Sequence, residues 1–253
     1  MLVVLAPSKK QSFDVPTLKA RPTRPPFADR AAAIAASIAA MDADEIASLM
    51  RVNHRIAATT RDAYLAWTGE AGAAGRPALF AYTGETYRGL AAHELPPDEI
   101  TWAQDHLRIL SALYGVLRPT DAIRPYRLDF TVPLRLNGAT SLYDYWGDAP
   151  TRHLASSLKR SGSPDLICLA SAEFARLIRA DALPGRVVTP VFKEHTPRGL
   201  RSVSVYAKQA RGTMARWIVR NRVNDADALA GFDLDGYRHE PDGSTADAPL
   251  FVR

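Results

Sequence analysis

A single cysteine, Cys168, stands among the 253 residues of this chain. One thiol excludes an internal disulfide framework and points to a reducing compartment, the cytoplasm. It sits in Asp165-Leu166-Ile167-Cys168-Leu169-Ala170 with no Lys or Arg beside it, the setting of a small buried hydrophobe rather than an activated thiol. No apolar run approaches the ~20 residues that a spanning helix needs, so no membrane partner is expected. The opening Met1-Leu2-Val3-Val4-Leu5-Ala6 is too short for a signal-peptide core, and its charges follow it. The phosphate-loop pattern GxxxxGK[ST], the dinucleotide pattern GxGxxG and the nucleophile elbow GxSxG are all missing; glycines 69, 72 and 75 are spaced GxxGxxG with no strand ahead of them. Histidines 54, 93, 106, 153, 195 and 239 are isolated, none at HExxH spacing, so neither a metal site nor a cofactor is expected. With no internal repeat and no long flexible linker, residues 1–253 read as one domain.

What is present is an ordinary globular composition, 47% hydrophobic and 23% charged, long enough for an ample core. Net charge is +5 with a pI near 9.4. Its distribution is uneven. From Lys193 to Arg222 there are eight Lys or Arg against one acid, Glu194, and from Val223 onward seven acids against Arg238 and Arg253. Such asymmetry fits a basic surface for a polyanion, and equally a solvated arginine-rich helix face.

Along the chain, Met1 to Ala6 reads as a first buried strand, followed by the polar loop Ala6-Pro7-Ser8-Lys9-Lys10 and a proline-rich stretch over 11–27. Two helices follow. One covers about Ala28 to Met41; the other opens at Asp42, with Glu45 three positions on as a capping box, and carries Ile46, Leu49, Met50 and His54 at core spacing. Ala78 to Tyr82 reads as a second strand. Pro96-Pro97-Asp98-Glu99 begins a helix expected to run to Leu113. Residues 119–148 read as irregular and aromatic-rich. Further strands are expected at 165–170, about 187–192 and 202–207, with a last helix from about Gln209 to Asn221. Strands scattered unevenly among helices predict a mixed α/β (α+β) fold with a central sheet and flanking helices.

Two segments are dense in polar residues. In one, Arg108, Ser111, Tyr114 and Arg118 are threaded around Gly115; in the other, Lys208 and Arg211 lie in Ser204-Val205-Tyr206-Ala207-Lys208-Gln209-Ala210-Arg211-Gly212. The Leu113 to Arg118 turn admits a helix-hairpin-helix-like reading, in which amides at a second helix start meet a DNA phosphate and Arg118, Arg124 and Arg127 add charge. Against it stand a single glycine and the interruption at Pro125; a glycine C-cap with Tyr114 and Leu117 packed inward is the alternative. Ser8 and Lys9 follow the first strand, Glu85 and Tyr87 the second, Ser171 and Glu173 the third. In open sheets the crevice beyond strand ends binds ligands, so these loops are expected to share a cleft; singly, each is an ordinary turn or cap residue.

These stretches resemble a known family along the whole chain. Pro7-Ser8-Lys9, Tyr82 to Leu90, HLRILSALYGVLRP from His106 to Pro119, LYDYWGD from Leu142 to Asp148, Leu169 to Phe174, Pro190-Val191-Phe192 and Tyr206 to Gly212 are similar to the YaaA-type peroxide stress resistance proteins. The resemblance implies a compact α/β fold with a basic cleft and a helix-hairpin-helix-like element, binding of duplex or junction DNA without strong sequence preference, and an indirect role in limiting free iron. Carried onto this chain, the DNA-facing set is Lys9, Arg108, Tyr114, Gly115, Arg118, Arg127, Lys208 and Arg211. The chain departs from the family's usual residues at Ala6, Thr83 and Glu85, all in the expected cleft. A second reading is an enzyme acting on a phosphorylated or nucleotide-like small molecule. Ser8, Lys9, Glu85, Glu173 and Lys208 are then the catalytic candidates, because a Glu and a Lys in a cleft can serve as acid and base.

Overall fold

The computed structural model describes residues 1–13, 20–67 and 75–253; the expected glycine loop at 69 and 72 lies outside them. The strand Leu2–Leu5 is apolar at every position and buried throughout, as a strand covered on both faces must be. It is the middle of a five-stranded sheet whose order is Gly115–Leu117, Leu107–Ser111, Leu2–Leu5, Leu166–Cys168, Val187–Val188. All neighbours are parallel except the first pair, which forms a hairpin. The chain leaves Leu2–Leu5 toward one edge and Leu166–Cys168 toward the other, so these adjacent strands form the switch point at which open sheets bind ligands.

The edge strand Val187–Val188 continues into Val191–Thr196, which belongs to a second, four-stranded sheet ordered Arg238–Thr245, Ala248–Val252, Val191–Thr196, Gly199–Arg201. A short pair, Arg76–Pro77 with Ala122–Ile123, makes a third. Ten α-helices surround these sheets among the described residues. The capping box at Asp42 forms as expected: Asp42 accepts from the amides of Asp44 and Glu45, and Glu45 accepts from the Asp42 amide at 2.8 Å. That helix ends at Met50. Asn53 then caps a separate helix, His54–Leu65, rather than letting the first run on to His54.

Further sequence expectations change. The helix Pro97–His106 stops seven residues early, and Leu107–Ser111 is a fully buried strand. The helix-hairpin-helix-like element is therefore a helix followed by a β-hairpin. Residues 112–114 make its loop, and Gly115 takes the left-handed conformation (φ +69°) that closes a three-residue hairpin. Ala78–Ala81 is one helical turn, buried on every side, not a strand. The last helix begins at Ser204, so the strand expected at 202–207 is instead Gly199–Arg201.

Helices Glu85–Leu90 and Ser204–Asn221 touch backbone to backbone. A Cβ on Gly89 would overlap the Gln209 carbonyl oxygen, and one on Gly212 the Thr86 carbonyl oxygen. Two glycines, each set against the backbone of the opposite helix, thus fix the distance between these helices, and with it one wall of the cleft.

Candidate functional site

A cleft of about 700 Å³ opens at the carboxyl ends of Leu2–Leu5 and Leu166–Cys168. Three loops and one helix build it: Ala6 to Gln11 after the first strand, Gly84 to Tyr87, Leu169 to Phe174, and the face of Ser204–Asn221 that carries Lys208 and Arg211. Tyr126 to Asp129 close the remaining side. The walls are pinned to one another. Tyr87 donates its hydroxyl to the Ala6 carbonyl at 3.0 Å, and Gly84 lies so close to Ser8 that a Cβ there would strike the serine hydroxyl. Behind Tyr126 runs a buried hydroxyl chain, Tyr82 to Tyr126 at 2.7 Å and Tyr126 to Ser111 at 2.8 Å. Burial holds the Tyr82, Tyr87 and Tyr126 phenols well above their ordinary pKa, so they stay protonated.

Among the described residues five cations line the cleft: Lys9, Lys10, Arg127, Lys208 and Arg211. The three carboxylates there among the described residues are largely engaged. Asp129 pairs with Lys9 at 2.7 Å, Glu85 with Arg88 at 3.0 Å, and Glu173 accepts from the Phe130 amide at 2.9 Å. Tyr143 lies behind Glu173, donating to its backbone carbonyl at 2.8 Å, with Phe130 stacked on its ring and Arg176 over it. No carboxylate lies within ion-pair distance of Lys10, Arg127, Lys208 or Arg211 among the described residues. Arg211 is half-buried beside Cys168, and burial lowers its pKa from the usual arginine value. The same burial raises that of the Cys168 thiol.

The structure therefore gathers Ser8, Lys9, Glu85, Glu173 and Lys208, the candidates of the catalytic reading, into one cleft. It gathers Lys9, Arg127, Lys208 and Arg211 of the DNA-facing set there as well. The other four do not join them, and each has a structural reason for its position. Arg108 is 4% exposed and gives its guanidinium to the carbonyls of Gln104 (2.9 Å) and Leu107 (2.7 Å). It thereby caps the negative end of Pro97–His106. Burial pushes its pKa down to about 10, and Arg118 adds to the shift, yet it stays charged at neutral pH. Tyr114 is buried, its hydroxyl accepting from the Trp67 indole (3.3 Å) and the Arg124 amide (3.1 Å). Gly115 packs against the Trp146 ring, where a Cβ would not fit. Arg118 is bound to Asp121, a carboxylate with no exposure, through Nε (3.2 Å) and Nη2 (2.9 Å). The polar density of this segment builds the hairpin: Ser111 Oγ accepts from the amides of Leu113 and Tyr114, and the Trp146 indole donates to the Ala112 carbonyl.

The basic run from Lys193 to Arg222 also divides. Lys208 and Arg211 face the cleft, whereas Arg216 and Arg220 reach Glu94 and Glu99, and Arg222 reaches Asp98. Sequence reasoning missed Lys10, Tyr126 and Asp129 as cleft residues. The doubled lysine was a signal for Lys10; nothing local marks Asp129, which comes to Lys9 across 120 residues of chain.

A family model described as peroxide stress protein YaaA matches residues 1–243. Relatives named UPF0246 protein are similar along the whole chain. The one from Roseobacter denitrificans is 42% identical over 259 residues, covering 100% of this chain and 98% of that protein. That from Maricaulis maris is 39% identical over 253 residues, with 100% and 96% covered. That from Caulobacter vibrioides is 40% identical over 253 residues, with 100% and 99% covered. Agreement of that extent spans every loop of the cleft, and the chain belongs to the peroxide stress protein YaaA family.

Proposed function

We propose that this protein serves the peroxide-stress response by binding DNA in its cleft, without strong sequence preference. The observation that carries the reading is the convergence of Lys10, Arg127, Lys208 and Arg211, none with a carboxylate partner among the described residues, on one open crevice at the sheet's switch point. Cations without internal partners attract phosphates, and phosphate contacts are indifferent to base identity. A benefit under peroxide follows if bound DNA is shielded from iron-driven oxidation, so any effect on free iron is indirect. The test is fluorescence anisotropy of labelled DNA between ~50 and ~200 mM salt, over which a multi-phosphate contact loses affinity steeply. Reversing Lys208 and Arg211 together to Glu is expected to weaken binding by at least about tenfold, or about 1.4 kcal/mol. Unchanged affinity and salt slope would sink the reading.

A second reading, an enzyme for a phosphorylated or nucleotide-like small molecule, is supported by the presence of Ser8, Glu85 and Glu173 among the same cations. A phosphate groove wants cations and amides, whereas acid–base chemistry wants this mixture. Glu173→Gln separates the two. The amide keeps an oxygen to accept from Phe130, so the fold is retained. DNA binding should hold or strengthen, and turnover of a nucleotide-like substrate should vanish if Glu173 is a general base.

A further inference from the structure

The four-stranded sheet ends in Gly199–Arg201 on one side and Arg238–Thr245 on the other, and neither is paired on its outer side among the described residues. Such an edge presents amides and carbonyls to any strand laid beside it, and proteins guard it with charge, proline or bulges. The two edges here are guarded differently. Gly199–Arg201 is exposed at every residue, and Arg198 and Arg201 have no ion-pair partner among the described residues. Two copies of this strand laid together would crowd arginine against arginine, so that edge repels itself.

Arg238–Thr245 keeps its ladder with Ala248–Val252 over Arg238, His239 and Glu240, and the register then shifts before Thr245. The Leu250 amide donates to Ser244 Oγ (2.8 Å) and that hydroxyl donates to the Glu240 carbonyl (2.6 Å), so the Glu240 backbone faces the inner strand. Facing alternates along an antiparallel strand. The Arg238 backbone therefore faces inward too, while the amide and carbonyl of His239 point away from the sheet. Side chains alternate as well, so Arg238 and Glu240 stand on one face and His239 on the other. Arg238 is exposed and has no ion-pair partner among the described residues, and the Glu240 carboxylate engages only the Asp242 amide (3.2 Å). Neither residue lines the cleft.

The order Arg238-His239-Glu240 is complementary to its own reverse. Antiparallel pairing of two copies about a two-fold axis at His239 sets Arg238 of each opposite Glu240 of the other. It also lets the two His239 backbones exchange both hydrogen bonds. Opposite charges directly across a ladder attract. Pro241 has no N–H to offer, and with the register shift it ends the pairing at Glu240. A seam centred on Glu240 instead would set carboxylate against carboxylate and bring Pro241 to the His239 carbonyl, so one register is selected.

We propose that Arg238–Glu240 is a self-recognition strand: a second copy of this chain pairs with it antiparallel about a two-fold axis at His239, joining the two outer sheets into one. A seam this short, with exposed ion pairs, is weak, so the dimer forms at high concentration and low salt.

The measurement is sedimentation velocity without DNA from about 1 μM to about 1 mM, the range of weak association. It is run at ~10 mM and ~1 M salt, where screening lengths are about 30 and 3 Å. The parent should pass from monomer to dimer at low salt and do so less at high salt. Arg238→Glu and Glu240→Arg should each weaken dimerisation by at least about tenfold, because each turns two attractive pairs into repulsive ones. Mixed in equal amounts, these two variants should dimerise again, since every pair across the seam is then of opposite sign. R198E/R201E should dimerise as the parent does. A second readout does not depend on how Glu240→Arg folds. Cα atoms of a hydrogen-bonded antiparallel pair stand about 5.5 Å apart, within reach of a disulfide. His239→Cys should therefore cross-link to its own copy under mild oxidation, and Leu200→Cys should not; the natural Cys168 is buried. A parent that stays monomeric to about 1 mM at low salt, a mixture that dimerises no better than its components, or a His239→Cys protein that does not cross-link overturns the proposal. Loss of association in R198E/R201E overturns it as well, by assigning the contact to the opposite edge.

Discussion

Arg118 and Asp121 form a pair whose loss should be felt in the stability of this fold. Asp121 has no solvent exposure and is held by the Arg118 side chain, by the Arg118 amide at 2.7 Å and by the Thr23 hydroxyl at 2.7 Å. Removing one partner of a buried pair costs about 3–5 kcal/mol; here Thr23 and the amide remain and Arg118 is partly exposed, so Arg118→Ala should cost about 2–3 kcal/mol. A calorimetric melt should then fall by roughly 5–10 °C for a chain of this size. Weakened DNA binding in such a variant would report unfolding, which is why Lys208 and Arg211 are the better probes. His153 makes a second prediction. Burial first, then the charges of Arg108, Arg160 and Arg118, push its pKa down to about 4, and it packs edge-on against Phe27. The unfolded chain takes up the proton near pH 6.5, whereas the folded chain holds out to about 4. The contribution of His153 to stability should therefore be level above pH 6.5 and fall by about 1–3 kcal/mol as pH drops from there toward 4. In His153→Phe, urea midpoints should be flatter over that interval; an unchanged slope removes His153 as the cause.

At the scale of elements, the contact between Glu85–Leu90 and Ser204–Asn221 carries the consequence for binding. Gly212→Ala puts a methyl group where the Thr86 carbonyl oxygen stands, so the helices must separate. Overpacking of this kind costs about 1–3 kcal/mol, and the displaced helix takes Lys208 and Arg211 with it. A lower melting temperature together with weaker DNA binding is expected; a variant that melts lower yet binds normally would show that the cleft wall tolerates the shift. The same elements show what sequence can tell. Leu2–Leu5, the Asp42 capping box and the proline start at Pro97 were legible because each signal is local. The strand Leu107–Ser111 was not: buried on both faces, it has no alternation, and Ile109, Leu110 and Leu113 also satisfy helical spacing. Ala78–Ala81 failed for the same reason, being apolar all round. Val203, Val205 and Tyr206 favour a strand, but Gln209 and Gly212, one helical turn apart, meet Gly89 and Thr86 of the neighbouring helix, and packing outweighs propensity. The cleft was half legible. Ser8, Lys9, Ser171 and Glu173 follow strands of the central sheet and line the cleft as the rule for open sheets predicts, whereas Glu85 and Tyr87 reach it after a helical turn rather than a strand. The polar cluster around Gly115 served the hairpin instead, because which groups its side chains satisfy is decided by Tyr126, Trp146 and Asp121 from elsewhere in the chain.

Across the whole molecule, charge is sorted by place rather than by amount. Net charge is only +5, yet the helix Ser204–Asn221 and the residues just after it spend Arg216, Arg220 and Arg222 on the acids of 94–99 and leave Lys208 and Arg211 for the cleft. A modest total can thus coexist with a concentrated field in one crevice. The strand that passes from one sheet to the other has a different consequence, for the order in which the protein is made. Val191–Thr196 pairs in parallel with Ala248–Val252, which lies between it and Arg238–Thr245. An inner strand of the outer sheet is therefore the last of its four to leave the ribosome. Until it does, Phe192 lacks its stacked partner Phe251. A nascent chain in that interval exposes an apolar edge of the kind on which chaperones act, so the span between the emergence of Val191–Thr196 and that of Ala248–Val252 is one in which the chain is open to misassembly.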